Sequence, residues 1–282
     1  MLREKQTNYK STAMIKTLFK SMRALPLFLV LTLLSGCEEL EDLLPDDKND
    51  TATYYGPTKD IGNGTARTWV KMSHDGKPLA VGISMTEDAL EGLPETMDMY
   101  MLEMPKQMSS TLYETVMLDW NPQGHEPDPI YTHPHFDMHF YMISDMERMA
   151  IPGGPHPHTP AFMENYIPAN YITGFPEPNM GEAVPGMGVH WVDATSPEFH
   201  GHDFTKTFVY GAYNNEVIFH EPMITTAYLK GLAPDAKETA KVPQPLKVQK
   251  TGYYPTSYSV AYDAIPGEYI ISLRNMKYRM AQ

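Results

Sequence analysis

The run YTHPHFDMHFY, Tyr131 to Tyr141, sets His133, His135, Asp137 and His139 at every second position, with Pro134, Phe136, Met138 and Phe140 between them. Side chains alternate across a β-strand, so this spacing predicts one strand with a face of imidazoles and a carboxylate and an opposite face that is apolar. Phe136, Met138 and Phe140 make the core side. The other side has two readings. The outer face of an antiparallel sheet is polar in many proteins and tolerates histidine. A solvent face more often carries Lys, Glu and Thr, however, and none of these occupies the four alternating positions. Imidazoles gathered with a carboxylate suit Zn²⁺, Fe²⁺, Mn²⁺ or Cu²⁺.

Strand geometry limits which of these residues can share one ion. At about 3.3 Å per residue, alternate Cα atoms lie roughly 7 Å apart, whereas His135 and His139 are separated by roughly 13 Å. Neighbouring pairs are therefore the easier chelates, and His135 with His139 must lean inward to meet. Pro134 donates no ladder hydrogen bond and often marks an edge or bulge, which can turn His133 away. A third ligand has to come from elsewhere in the chain. GMGVHWVDATSPEF offers His190 beside Trp191 and Asp193, and EVIFHEPMIT offers Glu221 next to His220, only one of which can face a given side of a strand. His125, in the NPQGHEPDPIY loop, is placed to fold back over the site. The pairs His156/His158 and His200/His202 fall in loop-like sequence and read as surface residues.

Strand signals extend on both sides of this run. TARTWVKM and KPLAVGISM flank His74-Asp75-Gly76, and TFVYGAY and EVIFHEPM flank Asn214-Asn215, two hairpin turns. MDMYMLEM, LYETVMLDW and GEYIISLRNMKY read as further strands. Helix candidates are short: Thr86 to about Leu93, Asp145 to Met149 and Thr225 to Leu229. Pro and Gly crowd residues 152–185, which read as a long ordered loop or lid. Many short strands with little helix predict a mainly β, antiparallel domain, either a β-sandwich or a cupin-like barrel. Met97, Met99 and Met101 share one predicted strand face. Thioethers bind Cu(I), but flexible methionines also fill cores, and core packing is the expected role.

The N-terminus sets an expected address. Lys16, Lys20 and Arg23 precede an apolar run from Ala24 to Leu34 that ends in Leu34-Ser35-Gly36-Cys37. The run is far shorter than the roughly 20 residues needed to span a bilayer, and it resembles a bacterial lipoprotein signal peptide. On this reading residues 1–36 are removed, and Cys37 carries the lipid that ties the protein to the membrane. Residues 37–54 form an acidic flexible tether, and residues 55–282 form the β domain. By analogy with lipoprotein sorting, Glu38 after the cysteine points to the outer membrane of a Gram-negative envelope, facing the periplasm.

Cys37 is the only cysteine, so the mature fold has no disulfide. Removing 36 of the 282 residues leaves 246, and because those 36 hold six basic residues and one acidic, the net charge moves from −13 to −18. That balance argues against nucleic acid and against docking on anionic headgroups. It leaves room for a small-molecule ligand and for a homo-oligomer. There is no Gly-rich phosphate loop, nucleophile elbow or cysteine metal motif.

Taken together, LDWNPQGHEPDPIYTHPHFDMHFY, GMGVHWVDATSPEF, TFVYGAY and IFHEPMIT resemble a family of uncharacterised secreted bacterial proteins, a domain of unknown function first described in a thermophile. The likeness runs from about Thr65 to Leu229. It carries over onto Asp119, Trp120, Asn121, Pro122, Gly124 and His125, then onto His135, Asp137, His139, His190, Asp193 and Glu221. His133 departs from the pattern, since that position is usually apolar. The resemblance implies a β-rich secreted domain and no particular reaction.

The functional expectation is a divalent-metal site on His135, His139 and His190, with Asp137 as ligand or as the partner that fixes an imidazole tautomer. His133 is a further ligand candidate, His125 and Asp193 are outer partners or lid, and Glu221 is the candidate base. The domain would then be a metalloenzyme of unknown reaction. The rival expectations are a non-catalytic copper- or zinc-binding protein and a structural or ligand-binding lipoprotein without metal.

Overall fold

A computed structural model describes residues 51–282. The expected signal peptide, Cys37 and most of the expected tether lie outside the described residues. The chain first lays down β1 (Thr51–Tyr55), β2 (Lys59–Ile61), β3 (Gly64–Ser73) and β4 (Pro78–Thr86). It then builds a second sheet from β5 (Asp98–Leu102), β6 (Thr115–Asn121), β7 (His135–Tyr141), β8 (Gly154–Pro157), β9 (Tyr171–Ile172), β10 (Met180–Val184), β11 (Gly188–Asp193), β12 (Lys206–Tyr213) and β13 (Glu216–Thr225). Finally β14 (Lys237–Lys241), β15 (Gly252–Asp263) and β16 (Glu268–Arg279) return to the first sheet.

The first sheet has the order β1-β3-β4-β16-β15-β14 with β2 added on β3, and the second has β5-β6-β7-β13-β12-β11-β10-β8 with β9 on β11. All pairings are antiparallel. The two sheets share one large core, with Val70, Ile83 and Ile271 from the first meeting Trp120, Phe136 and Phe140 from the second. This is a β-sandwich, and the barrel alternative is not formed.

The turn chemistry acts where the sequence placed it. Asn214 and Asn215 both adopt positive φ, 51° and 63°, closing the β12–β13 hairpin. Ser144 caps the short helix α1 (Asp145–Met149) in a reciprocal box with Glu147. Two other short helices are α2 (Pro160–Tyr166) and α3 (Thr226–Lys230). Among the described residues no helix is long and apolar enough to cross a membrane.

Four readings from sequence need correction. Thr51 to Tyr54, assigned to the tether, form most of β1, with Thr51 opposite Ser73 and Tyr55 opposite Trp69. The Pro- and Gly-rich stretch 152–185 is no free lid, because it carries β8, α2, β9 and β10, which extend one end of the second sheet. Met97, Met99 and Met101 are not core: β5 is the last strand of its sheet, and these side chains are 59%, 50% and 37% exposed. His158 is buried rather than superficial, stacked on Phe162 and set edge-on to Trp191.

The second sheet is covered on both sides. Phe136, Met138 and Phe140 of β7 point into the sandwich core, while Tyr141 lies with Met117, Val209, Phe219 and Met223 in a separate apolar cluster on the outer side. Tyr131, Phe204, Ile143 and Ile151, from the connecting segments, complete that second cluster and roof the outer face. Phe140 is fully buried with its ring edge-on to Tyr113 at 5.5 Å. Replacing it by Ala should cost about 3–5 kcal/mol of unfolding free energy in urea titration; a loss under about 1 kcal/mol would mean that β7 is not central to the core.

Candidate metal centre

The outer face of β7 is the floor of the site. Register puts Asp119 of β6 opposite Asp137 and Asn121 opposite His135. On the other flank Met223 and Thr225 of β13 stand opposite Asp137 and His135, and Glu221 projects to the same side. His190 enters from β11, two strands further on. Alternation turns His220 the other way, into the core, where its Nδ1 lies 2.8 Å from the Tyr113 hydroxyl. The loop between β6 and β7 folds back so that the His125 N–H donates to the Tyr131 carbonyl at 3.0 Å. Gly124 makes this return possible: its φ is +68°, and a Cβ there would lie 2.0 Å from the Tyr131 carbonyl oxygen.

The titratable residues fall into two groups, His125/His135/Asp137 and His139/His190/Glu221, in each of which the ligand-type atoms lie within 4.8 Å of one another. In the first, Asp137 offers one oxygen to each ring: Oδ1 is 3.1 Å from His135 Nε2, and Oδ2 is 3.2 Å from His125 Nε2. In the second, His139 Nε2 is 3.4 Å from His190 Nε2 and 3.6 Å from Glu221 Oε1, and His190 Nε2 is 3.7 Å from Glu221 Oε2. Bonds of 2.0–2.1 Å around a tetrahedral Zn²⁺ place its ligand atoms about 3.3–3.4 Å apart. The three separations in the second group are close to that spacing; in the first the ligand-type atoms lie within 4.8 Å of one another, and the His125 Nε2–Asp137 Oδ2 contact is a hydrogen bond.

Proton placement points the same way. A carbonyl oxygen only accepts, so the 2.7 Å contact of His135 Nδ1 with the His133 carbonyl puts the proton on Nδ1. The 2.6 Å contact of His125 Nδ1 with the Glu126 carbonyl does the same. His139 turns its Nδ1 toward Asp119 Oδ2 at 3.2 Å, an ion-pair contact without hydrogen-bond alignment. Each of these rings thus aims Nε2, the nitrogen suited to an ion, at a carboxylate. His135 Nε2, Asp137 Oδ1 and Glu221 Oε2 are buried and have no hydrogen-bond partner in the protein. Such atoms are costly unless something else satisfies them. These residues fit a divalent cation.

Burial alone would push the two raised histidines down, but their carboxylates outweigh it. Asp137 beside His125 and Glu221 with Asp119 beside His139 lift both rings to about 9. Glu221 is raised to about 8 by burial, against the attraction of His139. Burial raises Asp119 as well, whereas Asp137 stays well below the usual carboxylate range despite its burial, because His135 and His125 hold it ionised. His190 is pushed down to about 3 by burial and by the charge of His139. The two groups act on each other, since Asp137 and His125 both influence Glu221.

The expected ligands therefore divide. His139 and His190 stand together and His135 belongs to the other group with Asp137. Glu221 stands at ligand distance from the histidines. His125 folds in as a member of the first group. His133 is exposed and contributes its carbonyl rather than its ring, because β7 begins only at His135. Asp193 caps the turn that follows it by accepting from Thr195 N and Oγ1, and it is in neither group. Sequence reasoning gave no role to Asp119 and Asn121, although DWN has the same alternation as the histidine strand. Asn121 donates to Asp137 Oδ2 at 2.8 Å.

Residues 73–120 match a family model described as TTHB210-like, hypothetical protein TTHB210. That stretch runs from β3 to Trp120 and includes Asp119, which supports a relationship to an uncharacterised family. No curated protein and no solved structure matches the chain.

Two predictions follow from the geometry. The metal-free folded cluster binds more protons than the unfolded chain, since His125 and His139 titrate near 9 instead of 6.5 and Glu221 near 8 instead of 4.5. The contribution of the two histidines is thus fully present below about pH 6.5 and lost as pH rises through 9, and that of Glu221 is fully present below 4.5 and lost as pH rises through 8. The melting temperature of chelator-treated protein should fall across that interval; a flat or rising profile would contradict the arrangement. The Phe219 ring packs against both His139 and His190, with centroids 4.8 and 5.0 Å away, in space left by Gly211, where a Cβ would come within 1.9 Å of the ring. Gly211→Ala should displace Phe219 and shift the imidazole resonances of both histidines in NMR spectra while leaving those of His156 unmoved.

Proposed function

We propose that this is a lipid-anchored envelope protein that holds a divalent transition-metal ion between His139, His190 and Glu221 and offers the ion's remaining coordination positions to a small molecule. The observation that carries this reading is the convergence of two Nε2 atoms and one carboxylate, with separations of 3.4, 3.6 and 3.7 Å, where Glu221 Oε2 is buried without a hydrogen-bond partner. Two histidines and one carboxylate are the donor set of open catalytic zinc sites and of non-haem iron sites. Asp119 behind His139 supplies the carboxylate that typically orients an imidazole ligand. His190 is one-quarter exposed, so the group is reached from solvent.

A bound cation would supply Lewis acidity, polarising a carbonyl or making a water more acidic. The chain's own residues hold and orient it, and the rings of Tyr141 and Phe219, packed against the histidines, limit water around it. At these distances Glu221 serves as a ligand rather than as the base. The domain is accordingly proposed as a metalloenzyme of unknown reaction.

A second reading, metal handling without catalysis, is favoured by one feature. Met99 of β5 stands opposite Asp119 of β6, so the exposed stripe of Met97, Met99 and Met101 lies on the same face as the site, two strands from β7. Thioethers there suit Cu(I).

Mass spectrometry of metals bound to the purified protein tests the proposal. His190→Ala and Glu221→Gln should each remove at least one equivalent of zinc, iron or manganese, and undiminished metal in both would overturn it. Stoichiometric copper lost in a Met97→Leu, Met99→Leu, Met101→Leu variant would favour the second reading. Cys37→Ser should abolish incorporation of labelled palmitate and release the protein from the membrane fraction; retained label would remove the lipid anchor.

A further inference from the structure

We infer that His125, His135 and Asp137 form a second binding site for a divalent cation, next to the first, so that the outer face of β7 carries a two-ion centre. The inference rests on geometry that the His139/His190/Glu221 group does not share.

His135 and His125 each give their Nδ1 proton to a backbone carbonyl, of His133 and Glu126 respectively. His125 Nε2 lies 3.2 Å from Asp137 Oδ2 with hydrogen-bond alignment, so without an ion a protonated His125 donates there. His135 Nε2 lies 3.1 Å from Asp137 Oδ1 without that alignment, which leaves both atoms buried and without a partner. A cation satisfies these two atoms and takes the place of the His125 proton, because ligand atoms need to point at the ion and not at each other.

The surroundings are those of a built site. Asn121 Nδ2 donates to Asp137 Oδ2 at 2.8 Å and fixes the plane of the carboxylate. The edge of the Phe204 ring holds His135 in place, with centroids 5.4 Å apart, and Tyr131 packs near His125 at 5.9 Å. The His125 side chain is 38% exposed, so the third ligand arrives from a loop at the solvent side. Two nitrogens and a carboxylate select a borderline cation such as Zn²⁺, Mn²⁺ or Fe²⁺ over the oxygen-seeking Ca²⁺ and Mg²⁺.

Asp137 and His139 are alternate residues of β7, so the two donor sets are offset by one strand repeat, roughly 7 Å. Each site has three protein ligands, and both open toward the same side of the sheet. A ligand with two oxygen donors could therefore engage both ions together.

The test counts ions on the full-length protein by mass spectrometry after loading with zinc and, separately, manganese, followed by exhaustive dialysis. Two equivalents are expected in the unaltered protein. His125→Ala, at a half-exposed loop position that should not disturb the core, is expected to retain one equivalent, as is His190→Ala; the double variant should retain none. One equivalent that survives His125→Ala and disappears with His190→Ala would overturn the second site and leave the first intact. One equivalent with the opposite pattern would uphold the site inferred here and overturn the first. No bound ion with either metal would overturn both. Asp137→Asn, which keeps the carboxylate's shape, checks the same count without loss of packing, and two equivalents retained there and in His125→Ala would also reject the second site.

Discussion

Three carboxylates buried beside four imidazoles constrain the rest of this domain. Asp119, Asp137 and Glu221 are each 5% exposed or less, as are His135 and His139, and taking such groups out of water is costly unless their charges and lone pairs are matched. Paired protons can do this in part, which is why His125 and His139 are held protonated to about 9. A cation does it better, since one ion satisfies several acceptors together. The outer face of the second sheet is thus organised around a demand for positive charge.

Scaffold and site divide the two faces of the same strand. Phe136, Met138 and Phe140 tie β7 into the core between the sheets, which fixes the floor of the site whether or not an ion is bound. On the other face, a second apolar cluster, with Tyr131 and Phe204 contributed by loops, seals the polar groups from water. Precision at the imidazoles comes from packing as much as from hydrogen bonds: Phe219 contacts both His139 and His190, and it fits only because position 211 has no side chain. The same device appears at Gly124, where close approach of backbone to the Tyr131 carbonyl lets the loop deliver His125.

Strand periodicity was directly readable because period-two alternation is a local property. The strand at His135 to Tyr141, the Asn214-Asn215 turn and the capped helix at Asp145 all stand where neighbouring residues dictate them. The short strands within residues 152–185 were not readable, because Pro and Gly mask strand propensity and those segments pair only at the end of a sheet already formed. The exposure of Met97, Met99 and Met101 was hidden for a related reason: alternation identifies two faces, but nothing local says that β5 has no strand beyond it.

For the site, the sequence by itself determined the donors and the face they share, since His135, Asp137 and His139 alternate within seven residues. It also marked His125, His190 and Glu221 as candidates. Only the tertiary structure decided the grouping. Partners more than 50 residues apart, His139 with His190 and then Glu221, meet through the order β7-β13-β12-β11, and strand order is set by the packing of the whole sandwich. The rise along β7 keeps His135 away from His139, so a strand that reads as one set of ligands serves two groups of three.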